Sequence, residues 1–165
     1  MMLNKKANKL KALQNIMMLD VYNNVKFHAD ENKIVLITSP HKEILSENLI
    51  SELISLSIYN DEKVLFWDTL GHIKRLQSLN EIRQSEFEQN QFDLIKNSGY
   101  DWIFVYMPNY RQNSQILTVL KSIPQILIIV ESERTSKKEL AELMEPINSL
   151  NIKAVGAVVI DSDIK

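Results

Sequence analysis

The residues best suited to bind an anion follow the first strongly apolar run of the chain. Directly after "KIVLI" (33–37) come four polar residues on either side of a proline, namely Thr38, Ser39, His41 and Lys42. A helix N-terminus attracts negative charge, by about 0.3–1 kcal/mol per charge, and the hydroxyl, imidazole and ammonium groups beside it are suited to contact an anion. A phosphate cradle also needs glycine, because a Cβ blocks the close approach of the backbone, and no glycine lies here. We therefore expect a weak anion site at most.

The proline in this stretch predicts an abrupt start to the next helix. Thr38 ends the strand, Ser39 is suited to the N-cap, and Pro40 is suited to the first helical position. Proline also lacks the backbone N–H that a bound anion would use. The junction is thus expected to leave little chain with which to surround a triphosphate.

Further polar residues lie where later strands end. Asp68 is either a turn or cap residue or, if the protein is active, a catalytic base used together with Lys42, which is otherwise a solvated side chain. Asn109, Tyr110 and Arg111 are expected on an exposed loop, which is either a partner interface or simply solvated. The three histidines are scattered and cysteine is absent, so no metal site is predicted.

Composition limits the classes of partner. The 165 residues carry a formal net charge of −2, which gives no overall attraction to nucleic acid or anionic lipid. No apolar run approaches the roughly 20 residues of a membrane span. Zero cysteines are compatible with a reducing compartment. We expect a cytoplasmic protein that binds no nucleic acid.

The elements that must position these residues alternate along the chain. Continuous apolar runs predict five strands, at 33–38, 63–67, 101–106, 125–130 and 153–160. Helical spacing predicts helices at 43–59, 81–98, 112–123 and 135–149. Alternation of this kind predicts a three-layer, doubly wound α/β domain, with a mainly parallel sheet of five or more strands and helices on both faces. One domain is expected to span residues 1–165.

An additional helix is predicted near the start, at about 3–20. It has an apolar side and a cluster of lysines at its beginning. It is either a packed helix with a solvated basic end or a helix that docks on a partner or on the membrane surface.

The order of these blocks resembles a known family. "KIVLITSP", "KVLFWDTLG", "YDWIFVYMPN" and "QILIIVESERTSKKEL" look like successive blocks of the bacterial tyrosine kinases of capsule and exopolysaccharide synthesis. Those kinases belong to the MinD/ParA group of P-loop ATPases, and the similarity covers about residues 20–161. The resemblance implies the P-loop NTPase-like fold, with ATP and Mg²⁺ as the cofactors of any active member.

The phosphate-binding motif of that family is degenerate here. Aligning Asn48 and Leu49 with the family's Asn-Leu pair puts Lys42 where the phosphate-binding lysine belongs. Glu43 then replaces the Ser/Thr that binds Mg²⁺, and about four loop residues are missing. An acidic side chain beside the phosphates would repel them, by ~1 kcal/mol at about 4 Å even in water.

The two acidic motifs of the family are also incomplete. Asp68 matches the first aspartate of the second motif, but Leu70 occupies the second position. Tyr106 stands where the third strand's aspartate belongs, and its ring is expected in the core or in the vacated nucleotide pocket. Phosphoryl transfer depends on positioned phosphates and Mg²⁺, so these losses together predict an inactive protein.

The sequence therefore predicts a catalytically inactive, tyrosine-kinase-like binding or regulatory module without a cofactor. The resemblance implies a protein partner, either a membrane-anchored polysaccharide co-polymerase or an active kinase paralogue, and hence a location at the inner face of the membrane. The alternative is a divergent tyrosine kinase or MinD/ParA-like ATPase that uses ATP and Mg²⁺.

Overall fold

The structure is a computed structural model that describes residues 17–29, 31, 33–41, 47–68, 99–110 and 120–161. Five strands, three helices and the last turn of a further helix (120–122) lie in these ranges. The strands are β1 (Ile34–Thr38), β2 (Val64–Asp68), β3 (Trp102–Tyr106), β4 (Gln125–Glu131) and β5 (Lys153–Ile160). The helices are α1 (17–28), α2 (Glu47–Tyr59) and α3 (Lys137–Ser149). All five predicted strands are confirmed, with shifts of at most one residue at their ends.

The strands form one parallel sheet in the order β2-β3-β1-β4-β5. β1, β2 and β3 are buried along their whole length. Continuous apolar sequence is what such strands need, because helices cover both faces of the sheet. The predicted doubly wound α/β fold is confirmed.

Two apolar clusters lie between the layers, one on each face of the sheet. On one face, α1 and α2 pack against the sheet around Val35, Ile37, Phe66, Phe104 and Leu127. On the other face, α3 packs against the sheet around Ile34, Leu36, Trp67, Ile126 and Ile128. The side chains of β1 alternate between these two clusters, so β1 lies at the centre of the core.

The boundary predicted for the first helix is wrong. Residues 17–28 are helical, so this helix continues well past residue 20. Met18, Tyr22 and Val25 are buried at a spacing of four and then three residues, which continues one apolar stripe. Residues 21–28, which follow the predicted end, therefore belong to α1, and residues 1–16 lie outside the described residues.

α3 begins with a capping box. The Ser136 hydroxyl accepts the Glu139 amide N–H, and the Glu139 carboxylate accepts the Ser136 amide N–H. Leu143 and Ile147 are buried, as the sequence predicts. Pro146 lies inside the helix and removes one donor from its ladder.

Other predicted elements lie partly or wholly outside the described residues. The helix at 81–98 is one of them, although Gly99, predicted to end it, has the left-handed φ of +77° that such a residue adopts. Of the helix at 112–123, residues 120–122 are described and helical. Among the described residues, no helix combines the length and apolarity needed to cross a membrane. The organisation of residues 1–165 as one domain stays a prediction.

Candidate functional site

The candidate site is the edge of the sheet where the strands end. In open α/β sheets, ligands bind outside the carboxyl ends of the strands, where neighbouring strands lead to helices on opposite faces. Here β1 leads to α2 on one face, and its neighbour β4 leads to α3 on the other. The crevice to examine is therefore the one between the ends of β1 and β4.

The end of β1 is bonded to the segment that follows β3. The Thr38 hydroxyl donates to the Met107 carbonyl at 2.7 Å, and the Asn109 amide N–H donates to the Ser39 carbonyl at 2.7 Å. Thr38 and Ser39 are both completely buried. Both were predicted to bind an anion, and that role stays a prediction.

The bend after β1 differs from the predicted helix start. The His41 amide N–H donates to the Ser39 hydroxyl oxygen at 3.1 Å, which is the local bond expected of a capping serine. Pro40 and His41 nevertheless form a bend, and α2 is described from Glu47 onward. The prediction that Pro40 begins the helix is wrong, because Ser39 closes a tight turn instead. Lys42 and Glu43 lie outside the described residues.

A side-chain bond spans the crevice between β1 and β4. His41 Nε2 lies 3.2 Å from the Thr135 hydroxyl oxygen, although the two residues are 94 positions apart in the chain. The same hydroxyl oxygen accepts the Glu131 amide N–H at 3.1 Å. His41, predicted as an anion ligand, thus bridges the two loops that would flank a ligand.

The charged groups beside this bridge are of both signs. Glu131 is buried at the end of β4 and pairs with Arg134 at 3.0 Å. Glu133 and Asp161 are exposed nearby, and two exposed lysines begin α3. The described part of the edge therefore has no dominant charge.

Glu139 keeps its charge within the α3 cap. Hydrogen bonds from the Ser136 hydroxyl and amide hold the pKa of this carboxyl below its usual range. The positive charges of His41 and Arg134 lower the pKa slightly further. The Glu139 carboxylate is therefore a negative charge of the protein itself at the N-terminus of α3.

The acidic-motif positions are buried. Asp68 ends β2 and is 2% exposed, and Tyr106 lies opposite it at the end of β3. The Tyr106 ring stacks on Phe66 with 6.4 Å between centroids, on the face covered by α1 and α2. The expectation that Tyr106 is a core aromatic is confirmed. Leu70 lies outside the described residues.

The loop predicted as an exposed interface is partly buried. Tyr110 is 1% exposed, and its hydroxyl donates to the Leu143 carbonyl inside α3. The predicted exposure of Tyr110 is wrong, because its ring fills the space between β3 and α3. Asn109 is half-buried with a φ of +46°, and Arg111 lies outside the described residues. A partner role for Asn109 stays a prediction.

Thr135 and Glu131 were not recognised from the sequence as site residues. A weak signal was present, because Thr135 precedes the capping serine of α3 and Glu131 directly follows an apolar strand. The bonds of Thr135 depend on a contact between distant segments, which residue spacing does not show.

Comparison with known proteins identifies the fold. No protein-family model and no curated protein matches this chain. The kinase domain of Escherichia coli tyrosine kinase ETK is 17% identical, with a TM-score of 0.63 over 82% of this chain and 70% of that one. The VpsO kinase domain is 12% identical, with a TM-score of 0.64 over 95% and 98% of the two chains. The cell division protein MinD of Aquifex aeolicus is 20% identical, with a TM-score of 0.56 over 81% and 70%. The chain thus has the P-loop-NTPase-like α/β fold that bacterial tyrosine kinase domains and MinD share.

Proposed function

We propose that this chain is a catalytically inactive, tyrosine-kinase-like protein that works as a binding or regulatory module. The observation that carries the proposal is the set of internal hydrogen bonds along the carboxyl edge of the sheet. An ATP site in this fold needs backbone N–H groups aimed at the phosphates. Three of the described amides at this edge instead donate to other groups of the protein.

These amides come from all three segments around the crevice. His41 donates to the Ser39 hydroxyl oxygen, Asn109 donates to the Ser39 carbonyl, and Glu131 donates to the Thr135 hydroxyl oxygen. Binding a triphosphate here would require breaking such bonds, at a net cost of about 0.5–1.5 kcal/mol each. It would also require opening the contact between His41 and Thr135.

The loss of one carboxylate position supports the same proposal. Mg²⁺-dependent phosphoryl transfer needs ligands that hold the metal between the phosphates and the protein. Tyr106, which ends β3 in place of the family's aspartate, stacks in the core and supplies no carboxylate.

The proposal extends to partners and location through the family resemblance. The expected partner is a membrane-anchored polysaccharide co-polymerase or an active kinase paralogue, met by a cytoplasmic protein at the inner face of the membrane. No cofactor is expected. Co-purification with candidate membrane proteins of a capsule locus tests this part of the proposal.

Calorimetry with Mg-ATP and Mg-ADP tests the inactive state directly. We expect no binding with a micromolar dissociation constant, and micromolar binding of either nucleotide would overturn the proposal. A variant with Thr135→Val serves as a comparison, because it removes the hydroxyl that meets His41 but adds no phosphate ligand. It is expected to stay equally unable to bind nucleotide.

One observation favours a second candidate function. Asp68 remains at the end of β2, at the position of the first aspartate in the family's second motif. A divergent ATPase or kinase would use it with Lys42. That function predicts phosphate release from ATP that disappears in Lys42→Ala, and no release with or without a partner would count against it.

A further inference from the structure

A carboxylate at the opposite edge of the sheet accepts three side-chain hydrogen bonds. Glu62 lies between α2 and β2. Its Oε2 accepts the Tyr22 hydroxyl and the Trp102 indole N–H, each at 2.8 Å, and its Oε1 accepts the Lys26 ammonium at 2.7 Å. The Glu62 side chain is only 11% exposed, so its bonds to Tyr22 and Trp102 are partly shielded from water, whereas the Lys26 side chain is 49% exposed.

Two of the three donors belong to α1. Tyr22 and Lys26 are one helical turn apart, and the Lys26 ammonium also lies 3.3 Å from the Tyr22 hydroxyl oxygen. Hydrogen bonding to Glu62 raises the pKa of Lys26. Burial, followed by the bond to Glu62, raises the pKa of Tyr22. Both groups therefore keep the protons that they donate throughout the neutral range.

Few apolar side chains of α1 are buried against the sheet. Along its described length this helix buries three side chains, Met18, Tyr22 and Val25. Val21 is partly buried against the same core, while Met17 is 58% exposed, Leu19 45% and Phe27 84%. By contrast, α2 buries four apolar side chains between residues 49 and 54 alone. Charge-assisted bonds to Glu62 must therefore supply a large part of the attachment of α1.

We propose that α1 is a releasable strap and that Glu62 is the clamp that holds it against the sheet. Helices attached by few buried contacts open locally, at a lower free energy than the whole fold. Release of α1 leaves the hydrogen bonds between all five strands intact, because α1 contributes no strand to the sheet. The strap gives the protein a way to expose apolar surface without unfolding. The proposal goes beyond the proposed function and does not depend on whether nucleotide binds.

Hydrogen exchange measured by mass spectrometry tests the clamp. Glu62→Gln keeps the length of the side chain but removes the charge that the three donors share. We expect the amides of residues 21–28 to exchange about tenfold faster or more in this variant. The amides of β1 and β4 are expected to exchange at the wild-type rate.

A matched variant controls for the loss of a carboxylate. Glu142→Gln removes the partner of Lys138 in a loose, exposed pair of 3.9 Å on α3. It is expected to leave the exchange of α1 unchanged. Tyr22→Phe gives a milder test with the same readout, because it deletes one donor and keeps the buried ring. It also covers the case in which Glu62→Gln does not fold.

Two results would overturn the proposal. If exchange rises equally in α1, β1 and β4, Glu62 supports the whole fold and does not clamp one helix. If the exchange of α1 stays at the wild-type rate in both clamp variants, the hydrogen bonds to Glu62 do not hold the helix.

Discussion

The hydroxyl of Thr38 offers a direct test of how the carboxyl edge of the sheet is held closed. This hydroxyl donates to the Met107 carbonyl at 2.7 Å from a side chain that is completely buried. Thr38→Val replaces the hydroxyl by a methyl group of similar size. The substitution therefore removes the bond between β1 and the segment after β3 without leaving a cavity.

The expected cost follows from the burial of the bond. A typical hydrogen bond contributes about 0.5–1.5 kcal/mol net, and a buried bond such as this one is expected near the top of that range. The Met107 carbonyl loses its buried hydroxyl donor, while valine recovers a few tenths of a kcal/mol through its preference for strands. We expect the free energy of unfolding to fall by about 1–2 kcal/mol. For a chain of this size the melting temperature falls by about 2–8 °C.

Urea unfolding followed by circular dichroism provides the measurement. Ser55→Ala is a matched control, because its hydroxyl also donates to a carbonyl at 2.7 Å, but on the exposed side of α2 and within one helical turn. That control should change stability by no more than about 0.5 kcal/mol. If Thr38→Val unfolds at the same urea concentration as the control, the bond does not hold the edge, and the reasoning that the edge is closed by its own hydrogen bonds fails.

Three further substitutions test other contacts. Tyr110→Phe removes the hydroxyl that donates to the Leu143 carbonyl, and we expect a loss of about 1–2 kcal/mol in urea unfolding; an unchanged midpoint would contradict a buried bond between the β3 loop and α3. Ser136→Ala removes the cap of α3 and should cost about 1 kcal/mol at neutral pH. The Ser136 hydroxyl also donates to the Glu139 carboxylate and lowers its pKa, so this part of the contribution is present at neutral pH and is lost as the pH falls through the lowered value, and the difference from wild type should narrow in acid. A difference independent of pH would argue against the capping box. Gly99→Ala places a Cβ at a φ of +77°, where no atom lies within 4 Å, so the cost of about 1–2 kcal/mol comes from the backbone angle alone; thermal melts that show a gain in stability would refute this.

The fold could be predicted because its signals are local. Each strand is a continuous apolar run, and a sheet covered on both faces needs such runs. The buried residues of α3, Leu143 and Ile147, recur at helical spacing, so a single face is visible in the sequence. The same periodicity would have given the end of α1 had Tyr22 and Val25 been counted as part of its stripe.

The site could be predicted less well because its bonds join distant segments. His41 and Thr135 are 94 residues apart, and neither residue type indicates the other. Tyr110 was misread for a related reason. It stands among polar residues that are typical of a solvated loop, and only the packing of β3 against α3 explains its burial. A lone aromatic residue directly after a buried strand is the signal that could have indicated it.

The separation between core and edge explains how this fold can be stable whether or not a nucleotide binds. The two apolar clusters that hold the sheet and the helices together draw on strand interiors, and His41 and Thr135 belong to neither. In a nucleotide-binding relative, glycines leave the backbone amides at this edge open toward phosphate. In this chain, side chains with hydroxyl groups stand there and accept those amides, as Ser39 and Thr135 do. Stability therefore does not require a ligand to satisfy the edge, and the sequence there is free to diverge while the core keeps the architecture.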